Sequence, residues 1–543
     1  MKNEKIVNII NILVDKTTGI LNLELAYKSK KIDENTEIFL MINEREKINP
    51  NNIKKSNSTE ESTILINFDI ELVKEQCIKI FIEENSKIYN AKITDNKNRK
   101  IVEKPNEYKI FTKNYSINIK DIEIEIKRKK NFEKLKYEIN KQKYSKKKYG
   151  KFCFFRLING KKKYYLFNDR ILFADDNAEQ FFKSINQNHK KIAKRCYFVI
   201  DKDSKRVEEL KKIGKILKFG SFRHKIKYIN SRIVISSHSS YYDRVYNPFN
   251  EDEMEMYKDI INKKFVFLQH GVIMNDVHNM LNRTKTIADL FITTTNSEYE
   301  IVKSPLYLYD EKQVACTGLA RFDRLTNEDK NIILIAPTWR TFLTEVEYNS
   351  EEEKEESFVN SEFYIKYKNV LSNKELIKKL KEKNMKIKFL LHPVFSEHKK
   401  EFTKLENENI EILSIENIRY SELFKECSIF ITDYSSTHYD VAFLQKPIIY
   451  YQFDKERFFA SHYQKGYFSY EQDGFGPVIE DEEELITKII YYIENNCKPD
   501  EEYLDKIRKT FKYLDRNNSE RIYNELIKID KPNEVNYRFN NVH

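Results

Sequence analysis

With 543 residues, 40% of them hydrophobic and 33% charged, the chain has room for about two to four domains with cores of their own, and its ten glycines argue against extensive disorder. A net charge of +11 fits an anionic partner (phosphate polymer, nucleotide or membrane surface) and does not choose among them. Six scattered cysteines, Cys77, Cys153, Cys196, Cys316, Cys427 and Cys497, form no C-x-x-C pair, which argues against a zinc site and a secreted disulfide framework.

No apolar run approaches the length of a membrane span. The opening stretch, Ile6 to Val14 behind Lys2 and Lys5, faintly resembles a signal peptide. Asn8 and Asn11 interrupt its apolar core, so a strand and a cytoplasmic protein are expected. Residues 1–127 alternate apolar and polar with period two, as in Ile20-Leu-Asn-Leu-Glu-Leu25 and Ile64-Leu-Ile-Asn-Phe68, with polar turn clusters between the runs. Short strands at this spacing predict a small β-rich domain of sandwich type. Residues 128–150 are lysine-rich, with Phe132, Leu135 and Ile139 at helical spacing, and predict a basic amphipathic helix or linker. Such a segment is either a solvated connector or a contact for anionic lipid head groups.

From 151 the pattern becomes strand then helix. Cys196-Tyr-Phe-Val-Ile-Asp201 precedes a helix-like 205–213, and Lys215-Ile-Leu-Lys-Phe219 precedes 221–229. Arg232 to Ile235, Phe265 to Gln269 and Leu290 to Thr293 continue the series. A second series starts at Asn331-Ile-Ile-Leu-Ile335 and runs through 386–391, 410–413, 428–432 and 447–451, with helices over 374–382 and 437–444. Alternation of this kind predicts parallel, doubly wound sheets. Two Rossmann-like domains facing a cleft, over 151–328 and 329–481, would give a glycosyltransferase-B-like α/β architecture behind the β-rich N-terminal domain. The acidic insert Glu351 to Glu356 is expected as an exposed loop, and 482–543 as helices packing across the domains.

Chemistry concentrates at strand ends. Phe265-Val-Phe-Leu-Gln-His-Gly271 delivers His270 to the crevice where open α/β sheets collect ligands, with Gly271 behind it to let the backbone turn. In Thr317-Gly-Leu-Ala-Arg-Phe-Asp323, Arg321 can clamp phosphate oxygens, or Arg321 and Asp323 can pair with each other. In Ala336-Pro-Thr-Trp-Arg340, Thr338 can donate to a phosphate or ribose oxygen and Arg340 can neutralise charge, and His392 ends the strand of Leu390-Leu-His-Pro393. Thr432-Asp-Tyr-Ser-Ser-Thr-His-Tyr-Asp440 is the most specific segment. Ser435, Ser436 and Thr437 open a helix and offer hydroxyls and free N–H groups to an anion, or cap the helix. Asp440, further along, can hold that helix or bind a polyol hydroxyl. No Walker A, G-x-G-x-x-G or H-E-x-x-H pattern occurs, and Asp175-Asp176 and Asp201-Lys-Asp203 are weak candidates for a metal-nucleotide site.

Taken in order, these segments resemble the CDP-glycerol glycerophosphotransferase family, enzymes that build teichoic-acid and capsule polymers. Phe267-Leu-Gln-His-Gly-Val272, Thr317 to Asp323, Ile335 to Arg340, Leu391-His-Pro393 and Asp433 to Thr437 through Lys446-Pro447 carry the resemblance. Phe291-Ile-Thr293 with Glu298-Tyr299, Lys465 to Phe468 and Gly476-Pro477 add to it, over roughly 150–490. Ala320 stands where the family usually has proline, and Leu390 where some members carry a basic residue.

The resemblance implies that His270 is the general base for the acceptor hydroxyl, which attacks the phosphorus next to glycerol in CDP-glycerol and expels CMP. It implies donor-binding positions at Arg321, Pro337, Thr338, His392, Ser435, Ser436 and Asp440, with His392 an acid or a phosphate ligand. The motifs call for neither a metal nor a further cofactor. Implied partners are CDP-glycerol or a related CDP-polyol such as CDP-ribitol, a lipid-linked or polymeric polyol-phosphate acceptor, and the inner face of the cell membrane as a peripheral site. Nucleic acid is not among them. Two rival readings are a nucleotide-sugar glycosyltransferase of the same architecture, whose product linkage lacks phosphate, and a non-catalytic polyanion-binding protein.

Overall fold

The computed structural model describes 5–128 apart from 95–107 and short connections, then 151, 154–155 and 164–538. Within the last range it omits 240–246, 251–252, 254–260, 262, 345, 347, 349, 415–417, 462–463 and 531–533. The lysine-rich stretch, from 129 to 150, lies outside the described residues.

The N-terminal strands form two mainly antiparallel layers, with Lys92–Thr94 parallel to Ile6–Asp15 in the first. One contains Ile6–Asp15, Ile20–Ser29, Ser62–Glu71 and Asn52–Asn57, and the other Glu37–Ile42, Gln76–Glu84 and Glu123–Arg128 among others. Period-two alternation puts Leu21, Leu23, Leu25, Ile64, Ile66 and Phe68 of one layer against Ile38, Leu40, Ile78, Ile80 and Ile82 of the other. The first layer gains a strand from the far end of the sequence, Glu534–Arg538, antiparallel to Ile6–Asp15. The alternating Glu534-Val-Asn-Tyr-Arg538 is too short to announce itself, and its partner strand lies more than five hundred residues earlier.

Two parallel sheets follow. The first runs Ile216–Lys218, Cys196–Ile200, Tyr164–Asn168, Ser231–Ser236, Lys264–Phe267, Leu290–Thr293, Val314–Cys316. The second runs Ile410–Ser414, Lys386–Leu391, Ile332–Ile335, Cys427–Thr432, Ile448–Tyr451, Val478–Ile479. In each, the earliest strand sits inside, the next two stack outward on one side, and the fourth crosses to the other. That reversal opens a crevice at the carboxyl ends of the first and fourth strands. Ile332–Ile335 and Cys427–Thr432 are buried along their whole length, as expected of parallel strands covered on both faces.

Helices Glu482–Glu494, Asn518–Ile529 and others cover the sheets. Expected helices recur at Phe222–Ile229, capped by Ser221, and at Lys374–Glu382, capped by Asn373. The acidic insert is helical rather than a loop. Ser350 accepts from the Glu353 N–H, and the three glutamates of the first turn suit the positive end of the helix Glu351–Val359.

The outer face of the N-terminal sandwich is occupied. Ala26 and Leu65 pack on Ile287 and Leu308 of the first parallel domain. Beside them Arg283, 1% exposed, binds both carboxylate oxygens of Glu24 at 2.9 and 2.7 Å and donates to the Ala288 carbonyl. Removing one member of such a buried pair strands the other. Glu24→Ala should therefore cost about 3–5 kcal/mol and free the sandwich, read as lost amide protection at Ala26, Leu65, Ile287 and Leu308. Glu24→Met combined with Arg283→Met should lose far less.

Candidate active site

Three neighbouring strand ends of the first domain build one wall. Asn168 pairs with Ser236, and Ser236 with Phe267, so the chains leaving these strands run side by side. They deliver Arg170, His238 and His270. The imidazoles of His238 and His270 stack with centroids 5.0 Å apart and planes 8° from parallel. His270 keeps an exposed surface at the cleft although protein surrounds it.

The strand before His270 ends at Phe267, and Gln269 takes a left-handed φ of 64°, which turns the chain. Glu298, fully buried, holds that turn by accepting from Gln269 Nε2 at 3.0 Å, Ile273 N at 2.7 Å and Thr294 N at 2.6 Å. Asn177 donates to the Gln269 carbonyl at 2.8 Å and accepts from Arg321 N at 3.0 Å. Asp169 accepts from Ser237 Oγ and from the N–H groups of Asp176, Ala178 and Glu179, tying the first strand end to the fourth.

Burial lowers the His270 pKa, and Arg170 and Arg321 lower it further against the pull of Asp176. The ring is therefore neutral at pH 7 and able to take a proton. Burial pushes Glu298 and Asp169 up to about 7.

The opposite wall comes from the second domain. Ser435, Ser436 and Thr437 precede the short helix His438–Phe443, with Ser435 Oγ and Thr437 Oγ1 2.9 Å apart. Thr338 donates its N–H to Asp433, 2.8 Å away, while its Oγ1 is buried without a hydrogen-bond partner among the described residues. Pro337 is buried just before it. His392 ends the neighbouring strand, its Nδ1 accepting from Val394 N at 3.3 Å and its ring stacked near Trp339. The walls meet at Gly271, where an added methyl group would lie 2.7 Å from Ser436 Oγ. A side chain here would turn the Ser436 hydroxyl out of its place.

Arg321 joins the walls. Its Nε and Nη2 bind the two oxygens of Asp440 at 2.7 Å each, and its Nη1 reaches Asp176 at 2.8 Å and the His270 carbonyl at 2.7 Å. Four donors thus go to protein acceptors, and Asp440 is taken up by the same clasp. Val272, Leu319 and Phe322 of the first domain share an apolar cluster with Leu334, Tyr434 and Phe443 of the second.

Besides Arg321 and Asp440, two more residues expected to face substrate have protein partners instead. Arg340 is fully buried, binds Asp454 and Asp433, and lies among the rings of Phe363, Tyr434, Phe453 and Phe458. It fixes Asp433, not a phosphate. Asp323 accepts from the N–H groups of Asn518 and Ser519 and so holds the start of the helix Asn518–Ile529. It does not pair with Arg321.

Asp175 and Asp176, considered for a metal, pair with Arg324 and Arg321. No cluster of three or more metal-ligating side chains occurs among the described residues. Sequence reasoning passed over Arg170, Asn177, Asp169 and His238. Only the two-residue step beyond an apolar strand marks Arg170 and His238 as strand-end residues.

Residues 151–528 match the family model described as CDP-glycerol:poly(glycerophosphate) glycerophosphotransferase. The chain is 36% identical over 378 residues to the minor teichoic acid biosynthesis protein GgaB of Bacillus subtilis, covering 69% of this chain and 40% of that protein. It is 29% identical over 205 residues to a teichoic acid poly(glycerol phosphate) polymerase of Bacillus spizizenii, covering 37% of this chain and 45% of that one. The chain thus spans less than half the length of these relatives. Among solved structures, that of the wall teichoic acid polymerase TagF aligns with a TM-score of 0.48 at 15% identity, covering 70% of this chain and 94% of that one. With more than half of its length inside the family model, the chain belongs to the CDP-glycerol:poly(glycerophosphate) glycerophosphotransferase family.

Proposed function

We propose that this chain transfers glycerol phosphate from CDP-glycerol to a hydroxyl of a lipid-linked or polymeric polyol-phosphate acceptor in teichoic-acid-like or capsule polymer synthesis. The observation that carries the reading is the position of His270, exposed at the cleft beside the serine-rich wall of the second domain. His270 takes the proton of the acceptor hydroxyl as its oxygen attacks the phosphorus bonded to glycerol. The bond from that phosphorus to the bridging oxygen breaks, and CMP leaves with that oxygen.

Charge on the transferred group spreads over its oxygens, so hydrogen bonds in place before the reaction stabilise the transition state. Thr338, with its unpartnered hydroxyl, and Ser435, Ser436 and Thr437 supply such donors. His392 acts on the same diphosphate as an acid or a ligand. Arg321 and Asp440 serve by holding the two walls in register. The motifs call for no metal beside these protein groups.

The protein works as a peripheral enzyme at the inner membrane face. The net charge of +11 and the basic stretch 128–150 support this, and among the described residues no helix is long and apolar enough to cross a membrane.

CMP release from CDP-glycerol, with CDP-ribitol and a nucleotide sugar alongside, tests the reading. Release from CDP-glycerol is expected, and His270→Asn should reduce it by about 10²–10⁴-fold. Preference for CDP-ribitol would keep the mechanism and change the donor. Turnover of the nucleotide sugar alone would refute phosphate transfer, and polyanion binding without turnover would refute an enzyme.

Because the His270 pKa lies below the free value of 6.5, the base form persists as pH falls past 6.5. The acid limb of kcat/KM should therefore lie below pH 6.5. A limb at or above that value would contradict the assignment. Glu298→Gln replaces the acceptor for one main-chain N–H with an amide donor, and it should lower kcat roughly tenfold with little change in donor affinity.

A further inference from the structure

Most cations around the cleft are already neutralised. Arg321 is held by Asp440 and Asp176, Arg340 by Asp433 and Asp454, and Arg324 by Asp175. Lys446 is buried against the carbonyls of Phe424, Lys425 and Cys427. Arg170 differs. It is exposed, and among the described residues it has no carboxylate partner.

Its position follows from strand register. Asn168 and Ser236 are paired, so Arg170 and His238, each two residues further on, leave adjacent strands at the switch point of the first sheet. His238 stacks on His270. Arg170 is within electrostatic range of both imidazoles and of Tyr420, a residue of the second domain. An unpaired guanidinium beside a general base helps to keep the base neutral. It also leaves a fork of donors open to the cleft, on the wall opposite the Ser435–Thr437 turn.

The geometry points to Arg170 as the anion-binding residue of an acceptor subsite, taking the phosphodiester next to the hydroxyl that His270 deprotonates. This rests on the transfer reading above. A polyol-phosphate chain carries a phosphodiester one polyol unit from its terminal hydroxyl, and a planar guanidinium binds such a group through two directed hydrogen bonds. The donor diphosphate is a second source of the same chemistry. The placement of Arg170 on the His270 wall favours the acceptor.

Arg170→Ala and Arg170→Lys in the full chain test this, with a short glycerol-phosphate oligomer or free glycerol as acceptor for CDP-glycerol. Arg170→Ala should raise KM for the oligomer by about 10–100-fold relative to KM for CDP-glycerol, with Arg170→Lys intermediate. The loss with the oligomer should exceed that with glycerol at least tenfold. A rise confined to KM for CDP-glycerol would move Arg170 to the donor and overturn the proposal. So would equal losses on both acceptors.

Calorimetric titration of the oligomer without donor separates this inference from the transfer reading. If wild type and Arg170→Ala bind the oligomer equally, the subsite is refuted although transfer stands. Arg170-dependent binding by a protein that turns over no CDP-polyol would uphold the subsite and refute transfer.

Discussion

The cleft between the two walls depends on one guanidinium. Arg321 reaches from the short 3₁₀ turn after the last strand of the first sheet to Asp440 in the second domain, and turns back to Asp176 and the His270 carbonyl. A buried ion pair of this kind contributes little net stability, because desolvation of the charges offsets much of their attraction. Its two-pronged geometry instead fixes position. It sets the wall that carries His270 against the wall that carries Ser436, closely enough that a methyl group added at Gly271 would displace the Ser436 hydroxyl.

The same economy of charge runs through the site. Asp433 is fixed by Arg340 and by the Thr338 N–H, which places the Thr338 hydroxyl at the carboxyl end of the first strand. Glu298 gathers the donors of the His-Gly turn and so fixes the backbone that carries His270. Cations and anions buried in these contacts are used up in shaping the cleft. Ser435 to Thr437, His270 and Arg170 keep exposed surface beside them.

Much of the parallel architecture could be read from the sequence, because strands buried on both faces appear as unbroken apolar runs such as Ile332 to Ile335. Ser221 and Asn373 likewise mark helix starts through their own side chains. The candidate positions His270, Thr338 and Ser435 were legible as strand ends, since each lies within three residues of the end of such a run. Their partners were not. Arg321 and Asp440 are 119 positions apart, and Arg340 finds Asp454 across 114. A cation suited to phosphate and one buried in a cage of rings look alike until the fold brings Tyr434, Phe453 and Phe458 around the second. The acidic helix at Glu351 was misread because repeated glutamates look solvated, while its Ser350 cap is a single residue.

On the transfer reading, the clasped walls form one phosphoryl-transfer site. A crystal structure of the full chain with CDP-glycerol tests it most directly. The diphosphate is expected against Thr338 and Ser435 to Thr437, with the glycerol-bearing phosphorus turned toward His270 and the Arg321–Asp440 pair intact. A nucleotide bound away from the Ser435 turn, or bound only after that pair has opened, would contradict it.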